Sequence, residues 1–378
     1  MLFVKREDLK IGMRLARPIY NKNGVLLYER SSKLTTQGIE SIKNFGLIGI
    51  FILEPAEPVP PMTEEDIEFE RFQTMCVYSL QEELEKIVQT RRTNRMQIIS
   101  SDVIRNYGHL EKKINFVQNL RSREDYHFKH SLNVAILCAM MTHVMNVMVD
   151  EQLETIEAAL IHDIGKLTVS DSIREKEILT KEEMAELRAV ELEGYNLIDM
   201  VFPTTPNIRR ICAQAQKAVE SAETGEDISA MKMVIGAKVL AVAETFDTMT
   251  AVQIGTGPVS EVAALRYLTE HPKAYDRTAV KALIRSINIL TPGVSVELNT
   301  GEKALILTEN TENILKPMIL MFNDNSIIDL SNEDVYGDLE IRDIMKTMDN
   351  RHVMNVDLLR RQGFQVEEPT FVEVPKEA

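Results

Sequence analysis

Ala158-Ala-Leu-Ile-His162-Asp163-Ile-Gly165-Lys166-Leu167 is the stretch whose reading decides the fold. An apolar run, 158–161, leads into a histidine, an aspartate and, four residues past the histidine, a lysine. If the run closes a helix, it anchors that helix in a core, and His162 and Lys166 share one side of it. Gly165 lets the backbone turn or approach another element closely. An imidazole beside a carboxylate at the end of a buried element suits a metal ion, and the neighbouring cation suits a phosphate. The same residues also read as a helix C-terminus with a polar cap and a solvated lysine. From this stretch alone both readings stay open.

Composition bounds the class. With 378 residues the chain is long enough for about two or three domains. Hydrophobic residues make up 44% and charged residues 27%, the profile of a globular protein. A formal net charge of -15 disfavours DNA, RNA and anionic membranes as partners. The apolar runs are too short to span a bilayer, and Met-Leu-Phe-Val-Lys-Arg-Glu-Asp at the start lacks the apolar core of a signal peptide. Cys76, Cys138 and Cys212 are far apart and odd in number, in apolar or helical contexts. They read as reduced packing residues, which makes the cytoplasm the expected location. Methionine is frequent and Trp absent, so the core is expected to be soft and tolerant of shape.

The patterning predicts a mainly α chain with small β-rich modules at its N- and C-terminal ends. Segment 1–55 reads as a β-rich module, with strand signals at 9–20, 25–28 and 48–53, a turn at Asn21-Lys-Asn23-Gly24 and a helix at 34–45 closed by Gly46. A proline-rich linker follows at 56–64. A helical lead-in covers 65–124 and the main helical domain 125–290. Helices are expected at 69–87, 94–117, 125–149, 151–162, 181–200, 207–222, 229–249, 259–269 and 277–287. Thr180-Lys-Glu-Glu183 forms a capping box, and Asp150 is a candidate N-cap. Alternation returns over 291–332, the C-terminal β module, and an acidic extension runs from 333 to 378 with short helices expected at 341–348 and 356–361.

A metal site built on His162 needs donors from other helices. His127 and His130, three apart at the start of a helix, share a face. His143 lies about 220° further round that helix and points elsewhere. Glu244 follows the apolar run Val239-Leu-Ala-Val-Ala, where a buried carboxylate is costly unless paired or metal-bound. His130 also reads as a helix-start histidine bonded to backbone, and Asp247 as a surface or capping residue.

These segments in order carry a resemblance. Tyr126 to Val134 with His130-Ser131 and Asn133-Val134, the His162-Asp163 stretch with Gly165-Lys166, Lys176 and Leu179-Thr180 with Glu183, and 239–250 together resemble the HD superfamily of metal-dependent phosphohydrolases. Within it they look like the HD-GYP family, which degrades the second messenger cyclic di-GMP. The likeness covers roughly 125–290 and implies an HD-type helical bundle. The departures fall on functional positions. Val190-Glu191 stands where the family has His-Pro, and Ile211-Cys-Ala-Gln-Ala215-Gln216-Lys217 where it has His-His-Glu. The Gly-Tyr-Pro loop and the later Arg-Pro-Tyr segment are missing, and the final ligand aspartate is Glu244.

The resemblance thus leaves His130, His162, Asp163 and Glu244 as metal ligands, with Asp163 and Lys166 as catalytic residues and Lys166 also holding phosphate. No metal, or one Mn, Fe, Zn or Ni ion at low occupancy, is expected. The expected function is a degenerate, non-catalytic scaffold or nucleotide-sensing module in bacterial signalling, with an unidentified signalling protein, cyclic di-GMP or another nucleotide as partner. Arg174 and Lys176 are further candidate phosphate contacts. The alternative is a phosphohydrolase or cyclic di-GMP phosphodiesterase with a mononuclear site. The long helix from Phe69 is compatible with a homodimer.

Overall fold

A computed structural model of the chain describes residues 2–20, 25–44, 49–53, 63–116, 118, 121, 125–169, 180–228, 230–251 and 258–345. The expected turn at 21–24, Gly46, most of the linker, Arg174, Lys176, Leu179 and the tail from 346, with its helix at 356–361, lie outside these residues. As expected, a mainly helical core is flanked by small antiparallel sheets towards both ends of the sequence.

The N-terminal sheet has the order β1 (Leu2–Lys5), β5 (Gly49–Leu53), β2 (Arg14–Leu15). A separate ladder pairs β3 (Ile19–Tyr20) with β4 (Leu26–Tyr28). Helix α1 (Thr36–Asn44) closes the module by burying Ile42 beside Leu15, Ile50 and Ile52. The sequence reading missed β1. Its backbone is recruited by β5, with Leu2 opposite Ile52 and Lys5 opposite Gly49, and no local turn signal announces that pairing.

Helix α2 (Glu64–Thr90) begins at a capping box in which Thr63 Oγ1 accepts from the Asp66 N–H and Asp66 accepts from the Thr63 N–H. α3 (Met96–Tyr107) is shorter than expected, because Gly108 caps it and the chain then turns and bends until Ile114 bridges Ile287 in parallel. α4 (Tyr126–Val144) is buried at every residue from His130 to Thr142. A helix with no polar face belongs at the centre of a bundle. It packs against α5 (Val149–Ile161), α8 (Ile235–Thr250) and α10 (Arg277–Ser286). Between them in sequence come α6 (Lys181–Val201), opened by the Thr180–Glu183 capping box, α7 (Asn207–Thr224) and α9 (Glu261–Glu270). Asp150 is not the N-cap of α5. That position falls to Met148, and Asp150 lies in the first turn, where its charge suits the positive end of the helix.

The C-terminal sheet has the order β10-β6-β7-β8-β9, built from β6 (Ser295–Leu298), β7 (Lys303–Thr308), β8 (Met318–Met321), β9 (Ile327–Asp329) and β10 (Ile341–Ile344), with α11 (Glu333–Tyr336) between the last two. The short helix expected at 341–348 is therefore a strand where it is described. β10 pairs with β6, whose edge would otherwise be open, and Ile341 is buried in the main core. Tertiary pairing overrides local propensity there.

After α5 the chain tightens into a 3-10 turn, Ile164–Thr168, that lies against α6. A Cβ on Gly165 would sit 2.5 Å from the Val190 carbonyl oxygen, and one on Gly194 would sit 2.9 Å from Gly165 Cα. Both glycines answer to this close crossing rather than to a left-handed backbone. Gly165→Ala should destabilise the protein by about 1–3 kcal/mol through overpacking, read as a shift in urea midpoint. An unchanged midpoint would mean that α6 yields freely.

Glu157 on α5 is buried. Burial first, and the Glu154 charge second, push its carboxyl up to about 7 against a hydrogen bond from Ser100. The folded state therefore holds this proton more tightly than the unfolded chain. Its contribution favours folding below the ordinary carboxyl range and is lost as pH rises through about 7. Thermal melts should show Glu157→Gln raising stability at pH 8 and changing it little at pH 4.

Candidate metal centre

Three helices deliver the cluster. His127 and His130 come from the first turn and a half of α4, His162 and Asp163 from the end of α5, and Glu244 and Asp247 from α8, one helical turn apart. The ligand atoms of His130, His162 and Asp163 all lie within 4.8 Å of one another. His130 Nε2 is 3.9 Å from Asp163 Oδ2, and His162 Nε2 is 3.7 Å from Asp163 Oδ1. Glu244 Oε2 accepts from both Nε2–H groups, at 2.7 Å from His130 and 2.8 Å from His162. The structure therefore brings His130, His162 and Asp163 into one group that could hold a metal ion, with Glu244 Oε2 seated between the two Nε2 atoms.

The outer nitrogens are fixed as well. His130 Nδ1–H donates to Asp247 Oδ2 at 2.6 Å, and His162 Nδ1–H donates to the Ala159 carbonyl at 2.7 Å. Each ring thus turns Nε2 inward, the orientation in which imidazoles held by a carboxylate or a carbonyl ligate metals. With Glu244 between them, both rings carry two N–H groups. One dication in place of the two Nε2 protons leaves the net charge of the cluster unchanged, so the donor set fits a single divalent ion that accepts N and O ligands.

The electrostatics follow from burial set against partners. Burial alone would depress the His130 imidazole, but Glu244 and Asp247 outweigh it and hold it well above its ordinary range. His162 is raised in the same way against burial by Asp163 and Glu244. Burial would raise Glu244 and Asp163, yet the histidines around Glu244, and Lys166 with His162 beside Asp163, hold both carboxyls well below normal. Lys166 Nζ pairs with Asp163 Oδ1 at 2.7 Å and is raised by Asp163 and Glu244 despite burial. Its side chain keeps 25% exposure, so the cluster has an open side. His143 pairs outward with Glu111, as its helical angle predicted.

Asp247 is the principal residue that the sequence reading undervalued. It is no surface or capping group. Fully buried, it accepts from Arg121, Gln118, Asn133 and His130. Burial would raise its carboxyl, but Arg121 and His130 bring it down to about 2. Its place three residues after Glu244 on one helix was a legible signal. Arg121 sits in an irregular stretch and carried none. Gln73 on α2 donates to Asn133 Oδ1, and Arg17 of the N-terminal module donates to the Gln118 carbonyl at 2.5 Å.

The positions expected to lack donors lie beside the cluster. Val190 and Glu191 pack against Gly165. Ile211, Cys212 and Ala215 of α7 are buried, and Cys212 Sγ–H donates to the Ala158 carbonyl at 3.6 Å. Apolar packing and a thiol occupy that face of α5. Among the described residues, Cys138 and Cys212 are buried free thiols and Cys76 is partly buried.

Residues 107–279 match the model of the HD domain family. A cyclic di-GMP phosphodiesterase of Pseudomonas aeruginosa is 22% identical over 225 residues, 59% of this chain and 53% of that protein. The cyclic di-GMP phosphodiesterase PdeB of Borreliella burgdorferi is 27% identical over 216 residues, 54% of this chain and 55% of that protein. The chain spans about half the length of the curated relatives it matches. No solved structure matches. The chain thus carries an HD-domain region, distantly similar to cyclic di-GMP phosphodiesterases, with a reduced cluster of metal-ligating residues. Among the described residues, no helix is long and apolar enough to cross a membrane.

Asp247→Asn keeps the shape but leaves Arg121 buried without its counter-charge. It should cost about 3–5 kcal/mol in urea unfolding. A loss under about 1 kcal/mol would show that Arg121 is neutralised by other means.

Proposed function

We propose that the protein is an HD-GYP-like signalling module that does not turn over cyclic di-GMP, and that it works as a scaffold or nucleotide sensor. The observation that carries this reading is that no histidine occurs between 163 and 270. Val190-Glu191 and the 211–217 stretch stand where the family resemblance implies histidines. The buried Cys212–Ala158 contact supports it, because packing has taken over the face that the missing ligands would line. A bridged pair of ions cannot be built from His130, His162, Asp163 and Glu244 alone.

One ion fits those four residues. It would supply Lewis-acid polarisation of a phosphate oxygen. The chain's own contributions are separable. Asp247 and the Ala159 carbonyl hold the Nδ1 protons and so aim both imidazoles. Asp163 orients Lys166 at the open side, where the ammonium can offset phosphate charge. Glu244 reaches both Nε2 atoms, a span its extra methylene over aspartate makes easier. These preserved contacts favour a second reading, a phosphohydrolase with a mononuclear site, since packing alone does not require them.

The two readings separate in one assay. The purified full chain, with its metal content measured, is incubated with cyclic di-GMP in added Mn or Fe. No turnover above the buffer rate is expected. Turnover that His162→Ala abolishes would overturn the non-catalytic reading in favour of the mononuclear hydrolase.

A further inference from the structure

The His127 imidazole is unexplained by the cluster as described. Its Nδ1 is buried and has no hydrogen-bond partner among the described residues. The nearest carboxylate oxygen, Asp163 Oδ2, lies 3.8 Å away, too far for a hydrogen bond. The Tyr126 ring meets the imidazole edge to face, with ring centroids 5.5 Å apart. A core histidine with a purely structural role normally satisfies its buried nitrogen. Here the nitrogen faces an anion across a gap.

That gap is close to the separation kept by two ligands of one ion. Metal bonds of about 2.0–2.2 Å at ordinary angles hold neighbouring donor atoms about 3–3.5 Å apart. Asp163 is placed to serve two positions. Its Oδ1 faces His162 and Lys166, and its Oδ2 is 3.8 Å from His127 and 3.9 Å from His130. The i, i+3 spacing on α4 fixes both histidines on one side of Asp163. Glu244 joins His130 and His162 by hydrogen bonds.

We propose that His127 is an additional cation ligand, holding with Asp163 a second divalent ion beside the position shared by His130, His162 and Glu244. The inference rests on the reading that this neighbouring cluster takes metal. The second position has only two protein donors, one nitrogen and one carboxylate oxygen. Its other coordination sites are open to oxygen ligands, water or the phosphate of a nucleotide, on the side where Lys166 is partly exposed. It would therefore be the weaker of the two. The donor comes from α4 rather than from α6 or α7, so the absence of histidines there does not preclude it.

Mn(II) titration of the full chain, with free Mn(II) followed by electron paramagnetic resonance, tests this. The wild type should bind one tighter and one weaker equivalent. His127→Ala and the bulkier His127→Gln should each lose the weaker equivalent and keep the tighter one within about twofold. His162→Ala should lose the tighter one. Thermal melts establish which variants are folded. Anomalous scattering from the Mn-loaded wild type adds an arm that needs no substitution, with a peak at bonding distance from His127 Nδ1 expected. A wild type that binds one equivalent, folded His127 variants that keep both, or a single anomalous peak at His130 and His162 would overturn the proposal while leaving the neighbouring site standing. Those results would mean that His127 meets only water. A wild type that binds no Mn(II) would remove both.

Discussion

The buried carboxylate of Asp247 is the constraint on which the rest of the cluster depends. It has no exposure to solvent, and it accepts hydrogen bonds from α4 through His130 and Asn133 and from the irregular stretch before α4 through Gln118 and Arg121. A charge taken so far out of water is tolerable only because Arg121 neutralises it and the remaining lone pairs are used. The stretch between α3 and α4 is thereby pinned over α8. His130 is aimed by the same contact. The network also continues outward. Gln73 ties α2 to Asn133, and Arg17 ties the N-terminal module to the Gln118 carbonyl while its guanidinium lies over the Phe51 ring. One ion pair thus links four parts of the chain to the orientation of one imidazole.

Around this fixed point His130, His162 and Asp163 form a reduced cluster, with Glu244 of α8 between the two imidazoles. Helices α4, α5 and α8 hold both imidazoles in the metal-facing orientation. Beside it, α6 and α7 present Val190, Ile211, Cys212 and Ala215. Packing holds these elements together without metal donors. Gly165 and Gly194 still let α6 approach the turn after α5 within van der Waals contact, and the buried α7 residues seal α5. Stability at this place comes from shape and apolar area, which survive exchange of a donor for a hydrophobe. The Oε2 of Glu244 meets both inner nitrogens and leaves neither imidazole unsatisfied.

Much of this was legible in the chain. Periodicity placed the long helices, because a helix that is apolar along one or all faces announces its length and burial. His143 was excluded from the site by helical angle alone. Three elements were not legible for one shared reason. β1 and β10 exist because β5 and β6 need neighbours, and no local pattern records that need. Helix α3 stops at Tyr107 because the chain ahead pairs Ile114 with Ile287, far away in sequence. In the cluster, Glu244 could be judged buried from the run before it. Asp247 and Arg121 could not be paired, since residues 126 positions apart carry no sign of each other.

The sequence by itself determined the helical class, the order of the segments and the identity of the donors present and absent. Those are properties of residue type and short-range spacing. Only the tertiary structure decided which of those donors meet, which nitrogen of each histidine faces inward, and that Asp247 rather than solvent holds His130. It also decided that His127 reaches Asp163 without bonding to it. Side-chain direction and burial are set by the packing of elements remote in sequence, and that packing is where the charge of a buried group finds or lacks its partner.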